Sequence, residues 1–258
     1  MNAEFINLTP ENLSDEHVCC IIRKNAHSGI GAKKNWLSER LKEGHIFRKL
    51  DANACVFIEY APLGNAWVPI EGDNFYYIYC LWVQGAPKGC GYGRSLMEYC
   101  INDAKKNGKS GICMLGAKKQ KNWLSDQNFA KKFGFETADE TNDGYELLSL
   151  SFDGSKPRFS PSVKQEISEK SLVIYYDYQC PYIYQRIEKL KTFCAEKDID
   201  AKFVLVNSLE TAKNLPCVFN NFAVFFGGEF VTVNQIDGAT AEKIIKKYST
   251  SKHQISGK

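Results

Sequence analysis

The sequence predicts a mixed α/β protein built from two domains. Its 258 residues exceed the usual length of one small domain and are enough for two. Strand-like and helix-like segments follow one another along the chain, and a single stretch rich in proline, glycine and serine at residues 152–162 interrupts them. We therefore predict a first domain over residues 1–152, a linker over 153–169, a second domain over 170–250 and a tail over 251–258.

The composition is that of an ordinary folded protein. Hydrophobic residues make up 44% of the chain and charged residues 24%, close to the averages for globular domains. Collagen-like, low-complexity and disordered classes are therefore excluded. The longest apolar runs have the length of strands and not of a membrane-spanning helix, and the first residues lack the pattern of a signal peptide. We expect a cytoplasmic protein.

Charge and cysteine usage argue against several other classes. The 33 basic and 30 acidic residues leave a net charge of +3, which gives no indication of a nucleic-acid or membrane partner. Ten cysteines and four histidines are present, but their spacing is irregular and no pair forms a C-x-x-C motif. The pattern predicts reduced thiols, with neither a disulfide scaffold nor a metal site.

The first half of domain one contains two predicted helices and three predicted strands. Helix-forming residues with spaced apolar positions mark residues 15–25 and 34–41, and strand-forming residues mark 54–60 and 66–70. Residues 75–83 (FYYIYCLWV) are almost entirely aromatic or aliphatic. A run without alternation predicts a strand buried on both faces at the centre of a sheet.

The second half of domain one begins with a glycine-rich turn. The following helix, predicted over 95–107, carries apolar residues on one face and ends at Gly108. A strand over 111–115, a helix over 123–133 and a strand over 145–152 complete the domain. The last strand is predicted to have a free edge, through which a homodimer could form.

The second domain reads as a small α/β unit of its own. We predict strands over 171–178 and 201–206 around a helix over 181–197, then strands over 222–226 and 230–234, and a final helix over 239–248. The turn Gly227-Gly228-Glu229 between the last two strands is typical of a β-hairpin.

The sharpest local signal is the loop between the buried strand and the helix of domain one. Glycines at 89, 91 and 93 allow close approach of the backbone to a ligand, and the first turn of the next helix presents free N–H groups. Such a loop favours a phosphate or pyrophosphate. The spacing fits neither the Walker pattern nor the dinucleotide pattern. What remains is a basic residue followed by x-x-G-x-G, at Lys88 to Gly93.

This loop resembles the pyrophosphate loop of the GNAT superfamily of N-acetyltransferases. The segment Phe129 to Phe135, ending in a Gly-Phe pair, is similar to the last helix of that fold. Further similarity at residues 57–62, 66–69 and 80–83, and in domain two at 216–217 and 222–230, indicates the YoaP-like subgroup, whose members join an acetyltransferase domain to a small C-terminal domain.

The resemblance implies an α/β fold with a mostly antiparallel central sheet, acetyl-CoA as co-substrate and an amine as acceptor. It places the cofactor on the end of the buried strand and on the loop. The residues implied are Leu81, Trp82, Val83, Lys88, Gly89, Cys90, Gly91, Tyr92, Gly93, Arg94 and Ser95. The acceptor is a small molecule or a peptide, and Tyr77, Cys80 and Cys180 are candidates for contacting it.

Acetyl transfer to an amine needs a proton acceptor and a proton donor. Glu59 is the first candidate for the proton acceptor because strand alternation places it on one face with Cys55 and Phe57. Glu71 and Asp73 are the second candidates. The tyrosine that usually donates falls at Ala130 in this sequence. We expect Tyr79, Tyr92 or Tyr145 to replace it, or water.

In domain two, the turn Tyr178-Gln179-Cys180-Pro181-Tyr182-Ile183 resembles the active-site turn of thioredoxin-like domains, with Ile183 in place of the second cysteine. A helix N-terminus at this turn is expected to lower the pKa of the Cys180 thiol. Cys217 is a partner for Cys180 only if the fold brings the two together. Two further functions remain open. Ala130 at the usual tyrosine position leaves a catalytically silent CoA-binding sensor, and Cys180 leaves a thiol-reactive protein.

Overall fold

The computed structural model describes residues 4–21 and 27–255, with side chains as far as residue 248. Strands form three sheets in this part of the chain. The strands are β1 Phe5–Asn7, β2 Ile46–Leu50, β3 Val56–Pro62, β4 Ile70–Glu71, β5 Phe75–Val83, β6 Gly111–Ala117, β7 Glu136–Glu140, β8 Tyr145–Ser151, β9 Arg158–Phe159, β10 Leu172–Tyr176, β11 Ala201–Leu205, β12 Phe222–Phe226 and β13 Glu229–Thr232. The α-helices are α1 Ser28–Lys42, α2 Tyr92–Lys106, α3 Gln127–Lys131, α4 Tyr182–Glu196, α5 Leu209–Lys213 and α6 Gly238–Ile255.

The large sheet of the N-terminal half has seven strands in the order β1-β2-β3-β5-β6-β8-β7. Its neighbours are antiparallel except for β5 and β6, which run parallel. The central position of β5 confirms the prediction made from its unbroken apolar run. Its first five residues are fully buried, and its last four become partly exposed where the strand leaves the core.

Helix α2 covers one face of this sheet, as its apolar stripe predicts. Leu96, Met97, Cys100 and Ala104 are buried against the sheet, so burial of this face supplies most of the stability of the helix. Helix α1 covers the opposite face, where Leu37 and Trp36 join the second core of the domain. Helix α1 extends beyond its predicted range of 34–41 at both ends. Helix α2 begins three residues before its predicted start at Ser95.

The sheet of the C-terminal half has four strands in the order β11-β10-β12-β13. The pair β10–β11 is parallel, and β12 runs antiparallel to β10 and β13. Helices α4 and α6 bury their apolar faces on one side of this sheet. Gly227 and Gly228 both adopt positive φ angles, of 67° and 90°, and this confirms the predicted hairpin turn.

The other side of the small sheet packs against the N-terminal half. Trp67 is buried among Val173 and Phe225 of this sheet, while Val218 and Val233 join the core that contains Tyr79. The two halves therefore share a continuous apolar interface.

Three predicted elements differ from the structure. The helix predicted over 15–25 is absent from residues 15–21, which form turns and bends, and its residues 22–25 lie outside the described part. Residues 66–69 are bends, and only Ile70 and Glu71 pair as a strand, with β9. The helix predicted over 123–133 is limited to α3, Gln127–Lys131. Its predicted first residue, Trp123, has a φ of 67°, which no right-handed helix accommodates.

The predicted free edge at residues 145–152 is also wrong. Strand β8 lies between β6 and β7 and is paired on both sides, because β7, which the sequence analysis missed, forms the true edge. Strands β1 and β2 and helix α5 were missed as well. The predicted linker contains β9, whose Phe159 is buried in the core of the N-terminal half.

Asp177 lies at the end of β10, in the interface between the two halves, and is completely buried. Its Oδ1 accepts a hydrogen bond from the backbone N–H of Gln179 at 2.8 Å, while Oδ2 has no hydrogen-bond partner among the described residues. Burial raises the pKa of this carboxyl to about 8. Asp177 is therefore mostly protonated at neutral pH.

A native state that holds this proton loses stability as the pH rises. The unfolded chain releases the proton near the ordinary pKa of 3.8. The stabilisation that comes from the bound proton is therefore complete below pH 3.8 and is lost as the pH rises towards 8. Asparagine does not titrate, so the unfolding free energy of Asp177→Asn should not fall with pH in this way. We predict that the difference in unfolding free energy, variant minus wild type, increases from pH 5 to pH 8. Urea unfolding at several pH values measures the unfolding free energy, and Asp200→Asn, at an exposed position, is the control. Equal slopes of unfolding free energy against pH for wild type and Asp177→Asn would contradict the prediction.

Candidate active site

A cavity of about 700 Å³ lies where the two halves of the protein meet. The N-terminal half contributes residues 18–20, α1, β3, the end of β5 and the loop at 120–128. The C-terminal half contributes residues 179–182 and the pair Asn220 and Asn221. A concave site of this volume at an interface between domains is typical for small molecules.

Glu59 of β3 is the charged centre of the cavity wall. Its side chain is 1% exposed, and Oε1 contacts the Lys33 ammonium and lies 3.0 Å from His45 Nε2. Oε2 accepts a hydrogen bond from the Gln179 carboxamide at 2.8 Å. Strand alternation placed Glu59 on this face correctly, since Phe57 lines the same cavity.

Glu59 is ionised in this setting. Burial alone raises the pKa of its carboxyl, but the Lys33 ammonium and the His45 hydrogen bond outweigh burial, so the net pKa lies below the ordinary value. Burial lowers the pKa of His45, so its ring is neutral. The Lys33 ammonium also lies 4.8 Å from the centroid of the Trp36 ring, in a cation–π contact.

The strand beside Glu59 is interrupted by a β-bulge. Glu59 pairs with Cys80 and Tyr60 pairs with Ile78, so Tyr79 is an extra residue in β5. Such a bulge turns two neighbouring side chains to the same face, and both Tyr79 and Cys80 line the cavity. The Tyr79 hydroxyl accepts the backbone N–H of Trp67 at 2.6 Å, and its carbonyl accepts the Asn220 carboxamide at 3.2 Å.

Beyond the bulge, β5 and β6 separate. Their pairing covers only Phe75, Tyr76 and Tyr77 of β5, although both strands continue. The backbone N–H of Leu81 donates instead to Ser125 Oγ at 3.2 Å. The gap between the strands therefore opens from the cavity towards the glycine loop.

The glycine loop joins β5 to α2. Gly89 and Gly91 have φ angles of 86° and 83°, and a Cβ at either position would meet no atom within 4 Å. The first hydrogen bond of α2 runs from Ser95 N–H to the Gly91 carbonyl at 3.1 Å, so the amides of Tyr92, Gly93 and Arg94 precede it and need other partners. This geometry fits an anion at the loop.

Cys180 belongs to the turn that precedes α4 and lines the cavity. The expected lowering of its pKa is wrong: burial raises the pKa of the Cys180 thiol, and this outweighs the hydrogen bonds that lower it. Burial also raises the pKa of Cys20 to about 12 and that of Cys80 well above its usual range. Cys180 and Cys217 are both free thiols.

The other predicted residues lie elsewhere. The Tyr77 hydroxyl is buried and donates to Asn220 Oδ1 at 2.7 Å, and the Tyr145 hydroxyl accepts the backbone N–H of Val233 at 3.2 Å; neither lines the cavity. Tyr92 packs edge-on against Phe5, with ring centroids 6.0 Å apart. Glu71, ion-paired with Arg158 at 2.9 Å, precedes the opposite end of β5, as does Asp73.

Sequence reasoning missed the partners of Glu59. Lys33, His45 and Gln179 come from three separate segments, and no local pattern marks any of them. Trp123, which also lines the cavity, was placed in a helix.

The described part of the chain has neither a metal-binding cluster nor a membrane-spanning helix. No group of three or more His, Cys, Asp or Glu side chains there is arranged to hold a metal ion. None of its helices combines the length and apolarity needed to cross a membrane.

Two family models match this chain. The model described as the acetyltransferase (GNAT) family matches residues 17–135, and the model described as YoaP-like matches residues 201–247. Among solved structures, a GNAT family acetyltransferase from Brucella melitensis in complex with acetyl-CoA has a TM-score of 0.41 and 16% identity, covering 62% of this chain and 94% of that one. PaiA N-acetyltransferase from Thermoplasma acidophilum, in complex with coenzyme A, has a TM-score of 0.42 and 16% identity, covering 59% and 100%.

The similarity to one curated relative is much closer. The chain is 39% identical over 232 residues to the uncharacterized N-acetyltransferase YoaP of Bacillus subtilis (strain 168), covering 88% of this chain and 92% of the relative. Since a relative this similar spans nearly the whole chain, the protein belongs to the GNAT family of acetyltransferases, carries a YoaP-like C-terminal segment and is an N-acetyltransferase.

Proposed function

We propose that this enzyme transfers the acetyl group of acetyl-CoA to a primary amine bound in the cavity between its two halves, with Glu59 as the proton acceptor. One observation carries the proposal. The ionised carboxylate of Glu59 lies in the wall of the cavity directly beside the bulge in β5, from which the gap between β5 and β6 leads to the glycine loop.

The glycine loop and the gap are the proposed binding site for acetyl-CoA. The loop amides and the first turn of α2 would hold the pyrophosphate, with Lys88 and Arg94 at its two ends. The strand end formed by Leu81, Trp82 and Val83 borders the gap and would pair with the pantetheine arm, which would take over the Leu81 N–H from Ser125 Oγ. Acetyl-CoA supplies the activated acyl group, which the gap would direct into the cavity beside Glu59.

The role of Glu59 follows from its charge. In the transfer, the amine nitrogen forms a bond to the carbonyl carbon, the carbon–sulfur bond breaks, and the sulfur leaves with the electron pair and takes up a proton. Once bonded to the carbonyl carbon, the nitrogen becomes far more acidic than a free ammonium. A carboxylate with a lowered pKa is then a sufficient proton acceptor, directly or through a water molecule.

Tyr79 is the better supported of the remaining catalytic candidates. Tyr79 is one of the residues that line the cavity, whereas Tyr145 is not. Burial raises the pKa of Tyr79 well above its usual value, which makes it a poor acid. We therefore assign its hydroxyl a hydrogen-bonding role towards the leaving sulfur and leave the proton itself to solvent.

We also propose that the C-terminal half is a thioredoxin-like domain without a redox function. The parallel pair β10–β11, the antiparallel hairpin β12–β13 and the reactive-site position of Cys180 before α4 support this fold. The raised pKa of Cys180 counts against the thiol-reactive alternative, and membership of an enzyme family counts against the silent sensor. A cytoplasmic location and a homodimer stay predictions.

The loop proposal predicts that Gly91→Ala weakens acetyl-CoA binding at least tenfold. A φ of 83° is strained for alanine, so the loop shifts and its amides move away from the phosphates. Titration calorimetry with acetyl-CoA measures the affinity. Gly154→Ala is a matched control, since Gly154 has a φ of 86° and equally open surroundings but lies far along the chain from the loop. Equal affinities of the two variants would rule out the loop as the binding site.

The base proposal predicts that Glu59→Gln lowers kcat about 10²-fold to 10³-fold and leaves the affinity for acetyl-CoA unchanged. The measurement is release of CoA thiol with an amine that the wild type acetylates. Because Gln would leave the Lys33 ammonium buried without a counter-charge, the double variant Lys33→Met/Glu59→Gln provides a second test. Wild-type turnover by either folded variant would remove Glu59 from the mechanism.

A further inference from the structure

Two tryptophans stand at the mouth of the cavity. Trp82 is 41% exposed and Trp123 is 40% exposed, and within the described residues they are the most exposed of the large hydrophobic side chains. Both line the same cavity, although one lies on β5 and the other on the loop after β6. Exposed aromatic surface gathered at one cavity indicates a ligand with apolar surface of its own.

Trp123 is held in place by both halves of the protein. Its backbone adopts a left-handed conformation with a φ of 67°, which is unfavourable for a bulky residue and is typically found at functional sites. Its ring meets the edge of the Tyr182 ring at a centroid distance of 5.7 Å, and the Arg186 guanidinium lies 5.6 Å from its centroid. The C-terminal half therefore fixes the orientation of this ring.

The carboxylates of the described cavity wall are already committed. Glu59 has Lys33, His45 and Gln179 as partners, and Asp126 caps α3 by accepting the backbone N–H groups of Asn128 and Phe129 at 2.9 and 3.3 Å. Glu59 is already paired with a cation, and Asp126 is fixed by the α3 backbone. The wall therefore offers compensation for at most one further positive charge, and a polyamine or a basic peptide would bring additional charge into the cavity without it.

We infer that the acceptor is a small monoamine with a flat aromatic body, an arylalkylamine in chemical terms. Trp82, Trp123 and Tyr182 form the cradle for its ring, and its amino group points inward to Glu59. This inference rests on the proposed acetyl transfer and narrows its substrate class. It also gives the C-terminal half a part in substrate selection, through Tyr182.

The test compares amines and variants by steady-state kinetics. With acetyl-CoA saturating, we expect kcat/KM at least tenfold higher for 2-phenylethylamine and tryptamine than for n-butylamine, spermidine or a lysine peptide. Trp123→Ala should lower kcat/KM for 2-phenylethylamine at least tenfold, leave n-butylamine within threefold and leave the calorimetric affinity for acetyl-CoA unchanged. Tyr184→Ala is the control, because Tyr184 is an exposed aromatic of α4 that does not line the cavity.

Each contrary outcome has a distinct meaning. A preference for spermidine or the peptide, or an equal loss for all amines in Trp123→Ala, overturns the aromatic acceptor while acetyl transfer stands. A loss of acetyl-CoA affinity in Trp123→Ala would mean that the Trp123 ring contacts the cofactor, and this result also overturns the aromatic acceptor. If acetyl-CoA gives no heat and no amine releases thiol, the proposed function fails and the acceptor class with it.

A second inference comes from the hydrogen bonds that cross between the two halves. Gln179 donates to Glu59 Oε2 at 2.8 Å and accepts from the Asn221 carboxamide at 2.8 Å, and its backbone N–H donates to Asp177. Its side chain is 4% exposed. A residue fixed at three points has little freedom, so it holds the carboxylate that it contacts in one orientation.

We propose that Gln179 is a positioning residue for Glu59, so that the C-terminal half takes part in acetyl transfer. Loss of the carboxamide donor removes a hydrogen bond to the ionised carboxylate, which raises the pKa of Glu59 and frees its orientation. Gln179→Met keeps the length of the side chain and removes the donor. Gln185→Met is the matched control, since Gln185 also bonds across the two halves, to Ser28 Oγ at 3.2 Å, but does not contact Glu59.

Two readouts test this role. Carbon-detected NMR titration of the Glu59 carboxyl should show a higher pKa in Gln179→Met than in wild type or Gln185→Met, whether or not an acceptor is known. With an amine that the wild type acetylates, kcat should fall about tenfold at unchanged KM for acetyl-CoA. An unmoved titration, or a raised pKa with wild-type kcat, would overturn the positioning role and leave acetyl transfer in place.

Discussion

The buried ion pair between Lys33 and Glu59 is the constraint on which the rest of the site depends. Two charges that are each 1% exposed are stable only because they neutralise each other and because the carboxylate has further donors. Those donors come from His45, the residue directly before β2, and from Gln179 of the C-terminal half. The cavity, the charge of Glu59 and the position of the second domain are therefore determined together.

The central sheet explains why this charge lies beside the proposed path of the acetyl group. Strand β5 pairs with β6 from Phe75 to Tyr77 and no further. The bulge at Tyr79 brings two neighbouring residues, Tyr79 and Cys80, to the cavity wall. The same divergence opens the gap towards the glycine loop. A backbone irregularity in one strand thus lies between the two proposed binding regions, the cavity and the glycine loop.

The sequence was most informative where one local pattern decided the structure. The unbroken apolar run of β5, the stripe of α2 and the Gly227-Gly228 turn were all predicted correctly, because burial and turn geometry depend on neighbouring residues. Trp123 shows the opposite case: its segment has helical residues, but packing against Tyr182 holds it in a left-handed conformation. Strand β7 was missed because its charged residues suit an exposed edge and carry little apolar pattern.

The site itself was predictable only in part. Alternation along β3 identified the face of Glu59, and glycine spacing identified the loop. The partners Lys33, His45 and Gln179 could not be found in this way, because they converge from positions up to 146 residues apart through tertiary packing. Cys180 was expected to be activated by its helix, but burial dominates its pKa.

The crystal structure of the complex with coenzyme A tests the central claim most directly. The account predicts the pyrophosphate on the amides of residues 88–95, the pantetheine arm between β5 and β6, and the sulfur at the opening into the cavity on the side of Glu59. Coenzyme A bound with its sulfur outside this cavity, or with the gap between the strands closed, would contradict it.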